Sequence, residues 1–432
     1  MHKILPLLSI MLLFLPQIIY AQQESEQDSN VWTILWQIII FIIIIIIIVI
    51  YYWKWKKSCK VSVVAIKFNH NTSSHTTDAL NIRKNYTQEV SIPEWTSGET
   101  NPKDSPAAYS IQDTIGNTVT IKVKLGILPK TATSAEVKAT GGGILGEIDS
   151  KTVQFSNGVS VPEFVEFELN HNTISGNGVK IENITWKWMY RCKGHKTWKN
   201  MDITQHRIYL VIKEPILPWI QTPFPNNQNP WTEVLEYSCD WAQNQTTLDG
   251  AASEVTTNVN QPVGNVEYDI PGGGASHYSG YPTIARFNCT AYLDRLKGGP
   301  GNGKYVNCTD CASIVVTFSN ILGCELWESK MGWGFELYEI IAIGLSTWAK
   351  PWGNGFSYHE VGWKNSAGLN DNVFDGCLKV NGNPSGTRVA ELPLNIPFDD
   401  SSSLDYREKL VPLASRGSCL PQPGQRTRRE VY

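Results

Sequence analysis

The sequence predicts a multidomain protein: an N-terminal transmembrane helix, an all-β Ig-like sandwich, and a C-terminal α+β domain. Three observations carry this reading. Trp32 to Trp53 is an apolar stretch interrupted only by Gln37, with seven consecutive isoleucines. Residues 60–215 break into short β-branched and aromatic runs, several alternating apolar with polar. Beyond a proline-rich stretch the texture changes to helical patterns followed by strands.

At the N-terminus, residues 1–21 have the form of a secretory signal. His2 and Lys3 precede the apolar run LPLLSIMLLFLPQII, and Ala21 ends it. Residues 32–53 then form a stretch long enough to span a bilayer. Residues 22–31 hold no Lys or Arg, whereas Lys54, Lys56, Lys57, Lys60 and Lys67 follow the span. In a bacterial cell the positive-inside rule places everything after residue 54 in the cytoplasm. An uncleaved signal gives a two-span hairpin with the same outcome. Cytoplasmic thiols are mostly reduced, so structural disulfides are not expected there. Sequons such as Asn288-Cys289-Thr290 stand against this placement only in a secreted eukaryotic context.

Residues 60–215 give the β-sandwich. KVSVVAIKF, TVTIKVKLGIL, KTVQFSNGVSV, EFVEFEL, ITWKWMY and HRIYLVI are its strand candidates. Turns are expected at Gly116-Asn117, Gly141 to Gly143, Asn157-Gly158 and Ser175 to Gly178. Ile184, Trp186 and Trp188 share one face and belong in the core. Five prolines between Pro215 and Pro230 make residues 216–232 an extended linker. Residues 233–400 form the α+β domain, and 401–432, rich in Ser, Pro and Arg, a poorly ordered tail. The net charge of −3 provides no field for nucleic acid.

Two motifs fail on inspection. GGPGNGKY (298–305) lacks the Ser or Thr that would bind magnesium in a phosphate loop, because Tyr305 stands there. HEVGW (359–363) puts Trp363 where a zinc protease needs its second His.

The chemistry gathers around YVNCTDCASIVVTFSNILGC (305–324). Cys311, Ile314, Val315, Phe318, Ile321 and Leu322 lie on one face of a helix that opens near Cys308. A thiol at a helix N-terminus is favoured as thiolate by the free N–H groups. Cys311, one turn in, faces the core. His359 is the only histidine after Cys308, and Asp375 follows at the end of NVFDG. On adjacent antiparallel strands the two would meet, with Asp375 orienting the imidazole.

Here the chain resembles the transglutaminase-like superfamily of papain-fold cysteine enzymes. The family's nucleophile opens a helix, with Ala four residues on and Gly fifteen on. Cys308, Ala312 and Gly323 fit this spacing, and His359 and Val373-Phe374-Asp375 fit the His and Asp strands. The layout is also similar to that of a bacterial membrane-anchored subgroup. The resemblance implies a Cys308–His359–Asp375 triad, acyl transfer or hydrolysis at a carboxamide or peptide bond, a protein or peptide substrate, and no cofactor or metal. The chain departs from the family at Asn320 and GCELW, where an Arg and a G-I-P-A-R stretch are usual. His359 is followed by Glu360 and Val361 rather than x-Trp, and lies 51 residues beyond Cys308. Two alternatives stay open: an inactive scaffold that keeps the fold, and a zinc domain using Cys308, Cys311, Cys324 and Cys377.

Overall fold

The computed structural model describes residues 29–56, 59–70, 75–222, 226–261, 265–280, 283–350, 353, 355–381, 388–401 and 405–432. The signal segment expected over 1–21 lies outside them. The chain is a multidomain α/β protein with two compact units, Met1–Cys59 and Lys60–Tyr432.

The first unit contains helix α1, Ser29–Lys56, whose side chains are described over 33–49. Its isoleucines from Ile38 to Ile48 are exposed. Among the described residues no helix is long and apolar enough to cross a membrane. The span expected over 32–53, and the single-pass placement with a cytoplasmic C-terminus built on it, are therefore corrected. Cys192 is moreover disulfide-bonded, which a reducing cytoplasm would oppose.

The second unit begins with ten strands: β1 Lys60–Lys67, β2 Trp95–Thr96, β3 Ala107–Ser110, β4 Thr120–Leu128, β5 Ser134–Gly141, β6 Glu147–Ser156, β7 Val159–Val161, β8 Val165–Asn170, β9 Lys180–Cys192 and β10 Lys199–Val211. They form one large mixed sheet in the order β2-β1-β4-β7-β6-β5-β9-β10-β3, with β8 pairing β4 and β6. This replaces the expected separate Ig-like sandwich. Most pairs are antiparallel, but β3 joins β10 in parallel, Ala107 to Ile208 through Ser110 to Val211. The β6–β7 hairpin turns at Asn157-Gly158, both at positive φ, as a tight two-residue turn requires. Along β9 burial alternates, with Ile184, Trp186, Trp188 and Tyr190 inward. Trp188 Nε1 donates to Thr204 Oγ1 at 3.0 Å and Trp186 Nε1 to the Gly146 carbonyl at 2.9 Å. Both indole donors are thus satisfied within the core.

The proline-rich segment is packed, not a free spacer. Trp219 is buried, and its Nε1 donates to the Thr317 carbonyl at 2.9 Å. One hydrophobic cluster runs from Leu80, Tyr209 and Val211 through Trp219 and Trp231 to Phe318, Trp363 and Val431. The second half therefore shares its core with the sheet. Its helices are α2 Thr232–Trp241, α3 Leu248–Asn260, α4 Cys289–Leu296 and α5 Cys308–Asn320. A four-stranded sheet follows in the order β11 Trp327–Met331, β12 His359–Trp363, β13 Asn372–Phe374, β14 Leu394–Pro397. Where a poorly ordered tail is expected, the chain forms helix α6, Tyr406–Leu410, and a strand, Glu430–Val431, parallel to Arg286–Phe287.

Candidate active site

Helix α5 is the hub. Asn307 caps it: its Oδ1 accepts the Asp310 N–H at 3.0 Å, while Asp310 Oδ2 accepts the Asn307 N–H at 3.2 Å. This reciprocal box defines the start of the helix and leaves Cys308 as its first residue. The expected apolar face is buried, but so is every other residue of α5. The polar members are held by specific partners. Asp310 accepts from Ser276 Oγ at 2.6 Å and from the backbone N–H groups of His277, Tyr278 and Ser279 at 2.8, 2.9 and 2.7 Å. Burial raises the Asp310 pKa, with these donors opposing the shift. Asp310 thus ties the 276–279 loop to the helix beside Cys308.

His359 opens β12, which pairs antiparallel with β13 in the register Gly362 to Phe374 and Trp363 to Val373. Continuing that register puts Asp375 opposite Val361, on the same face as His359 and diagonal to it. His359 Nε2 and Asp375 Oδ2 are 3.0 Å apart, and both residues are buried. Asp375 is fixed in turn. Tyr406 OH donates to its Oδ2 at 2.7 Å, and the Cys377 N–H to its Oδ1 at 2.7 Å. Phe356 stacks on the imidazole at 5.2 Å and 13°.

Burial alone would lower the His359 pKa. The Asp375 charge and hydrogen bond, followed by the Cys308 thiol, outweigh it and push the imidazole up to about 10. His359 Nδ1 has no nitrogen or oxygen partner. Cys308 is 4% exposed and shares a hydrogen bond with Tyr268, whose pKa burial and the neighbouring thiols raise. The structure thus brings Cys308, His359 and Asp375 together. Cys311 and Cys377 meet each other in the adjoining core. Cys324 lies beyond the far end of α5. Among the described residues no group of three or more His, Cys, Asp or Glu could hold a metal ion.

Several site residues escape a reading of the sequence. Thr309 Oγ1 donates to Glu360 Oε2 at 2.8 Å, and Arg429 Nη1 donates to Glu360 Oε1 at 2.8 Å. Arg429 also pairs with Glu328, whose Oε2 accepts from Ser313 Oγ at 2.6 Å. All five side chains are buried. The cluster joins the residue after Cys308 to the residue after His359. The Asn307–Asp310 spacing was a readable cap signal. Nothing local in the sequence points to Tyr406 or Arg429.

No family model matches the chain, and no curated protein matches it. Among solved structures it is similar to the crystal structure of red sea bream transglutaminase, at 11% identity and a TM-score of 0.30. The match covers 64% of this chain and 50% of that one, so the chain spans about half the length of that structure. At this distance the likeness carries no argument about fold or activity. None of these findings places the chain in a bacterial membrane-anchored subgroup.

Proposed function

We propose that the chain is a transglutaminase-like thiol enzyme that attacks a carboxamide or peptide carbonyl. The observation that carries the reading is the buried His359–Asp375 pair facing a thiol at the first residue of a capped helix. A raised imidazole pKa keeps His359 protonated at neutral pH, which gives it a proton to donate beside the Cys308 sulfur. The thiolate sulfur forms a bond to the carbonyl carbon. His359 gives its proton to the departing ammonia or amine as the C–N bond breaks. The resulting thioester is then cleaved by water, giving hydrolysis, or by a lysine amine, giving a crosslink. Asp375, held by Tyr406, keeps the ring oriented throughout.

One observation favours a second reading, a scaffold that keeps the fold without turnover. Cys308 is almost covered, and the Tyr268 phenol shares its hydrogen bond. Iodoacetamide alkylation of the full chain from pH 5 to 9, with the modified cysteine mapped by mass spectrometry, separates the two. The enzyme reading expects selective Cys308 modification below pH 7 that His359→Ala removes. A Cys308 that reacts no faster than Cys311 or Cys377 leaves the scaffold reading.

A further inference from the structure

A cavity of about 460 Å³ opens beside the far end of α5. It adjoins Cys324, whereas Cys308 lies at the other end of the 13-residue helix, about 18 Å away along its axis. Ile216, Leu248, Cys324 and the Trp327 ring give it apolar walls. Most of its charged lining is already committed. Lys364 pairs with Asp249, and Glu325 with Lys213 at 2.5 Å. Asn365 Nδ2 donates to Asp371 Oδ1 at 2.9 Å.

Arg428 differs. Its Nε donates to the Leu326 carbonyl at 2.8 Å, and its guanidinium lies 3.7 Å from the centre of the Trp327 ring. Among the described residues it forms no ion pair. Burial pushes it down to about 10 despite the Glu325 charge nearby. Arg426 stands over the same Trp327 ring at 4.7 Å and also makes no ion pair among the described residues. A partly desolvated guanidinium fixed flat on an indole, with the Glu325 charge near it but no direct ion pair among the described residues, presents its remaining N–H donors to an anion.

We propose that this cavity binds a small organic carboxylate, its carboxylate on Arg428 and its apolar body against Trp327, Leu248 and Ile216. A carboxylate fits better than a phosphate. Arg428 lines the cavity and Arg426 does not, a single guanidinium can satisfy one carboxylate, and Lys364, which could have served a dianion, is held by Asp249. The site is independent of the chemistry proposed at Cys308. It touches that region only through the chain, since Arg429, which grips Glu360, is the next residue.

The test is isothermal titration of the full chain with benzoate, with benzamide as the neutral isostere, and with inorganic phosphate. Saturable benzoate binding is expected, with benzamide and phosphate each weaker by roughly tenfold or more. Arg428→Met should abolish benzoate binding and Arg428→Lys weaken it. Trp327→Leu should also weaken it, so the result does not hang on one variant folding; thermal unfolding checks each. Equal binding of benzamide, phosphate as tight as benzoate, unchanged affinity in folded Arg428→Met, or no benzoate heat at all would overturn the site.

Discussion

Arg429 Nη1 donates to Glu360 Oε1 at 2.8 Å across 69 residues of sequence, inside a region where neither residue sees solvent. The same guanidinium pairs with Glu328. Two buried carboxylates therefore share one cation, and burial together with the Glu360 charge raises the Glu328 pKa against the pull of Arg429. Replacing Arg429 with Met leaves both carboxylates unpaired. We expect a loss of about 3–5 kcal/mol in urea unfolding. Glu360→Gln, which keeps an acceptor for Arg429, should cost less. Equal losses would remove charge from the explanation.

The His359–Asp375 pair makes a pH prediction. His359 in the folded chain titrates near 10, above the roughly 6.5 of an unfolded imidazole. A raised pKa contributes stability fully below the unfolded value and loses it as pH rises through the folded one. Stability should therefore fall between about pH 6.5 and 10, by a few kcal/mol at most. Denaturant midpoints at pH 6, 8 and 10 for the native chain and His359→Gln measure it. The two chains should converge at high pH.

Asp310 holds five donors between Asn307 and the 276–279 loop. Asp310→Asn keeps the size and loses the charge. A loss of about 2–4 kcal/mol is expected, with faster hydrogen exchange at His277, Tyr278 and Ser279. Exchange unchanged at those amides would mean the loop is held by something else.

Tyr406 bears on the proposed site through Asp375 alone. Tyr406→Phe removes one 2.7 Å hydrogen bond and should cost about 1 kcal/mol of stability. If Asp375 orients the imidazole, Cys308 alkylation at pH 6 should slow by roughly fivefold to tenfold. A stability loss with no change in alkylation would make Tyr406 a packing residue only.

Thiol counting tests the compartment. Cys239, Cys289, Cys308, Cys311, Cys324, Cys377 and Cys419 are free, and Cys59 and Cys192 are each disulfide-bonded. Alkylating the unfolded, unreduced chain should leave only Cys59 and Cys192 unlabelled until reductant is added. Labelling of both before reduction would restore a fully reduced chain.

Local signals explain what was legible. The apolar spacing of Cys311, Ile314, Val315 and Phe318 and the cap at Asn307 identify α5 from neighbouring residues alone. Alternation identifies β9, HEVGW forms the strand that His359 opens, and NVFDG brings Asp375 directly after the end of β13. What was missed depends on distant pairing. The parallel docking of β3 on β10 links residues about a hundred apart and turns an expected sandwich into one mixed sheet. Arg429 and Tyr406 sit in polar, turn-rich sequence that reads as tail until the buried carboxylates they satisfy are known. The isoleucine run reads as a span by composition, but among the described residues no helix is long and apolar enough to cross a membrane.

The indole of Trp219, in the segment that follows the sheet, donates into the backbone of α5 and ties the two halves of the second unit together. Beads on a string can be exchanged; these halves cannot. A chimera that imports a foreign sheet for residues 60–215 must also reproduce the seam from Trp219 to Trp231, or α5 loses its backing. Inheritance of this architecture by shuffling of separate modules is correspondingly hard, and change is expected to arise by substitution within an intact whole.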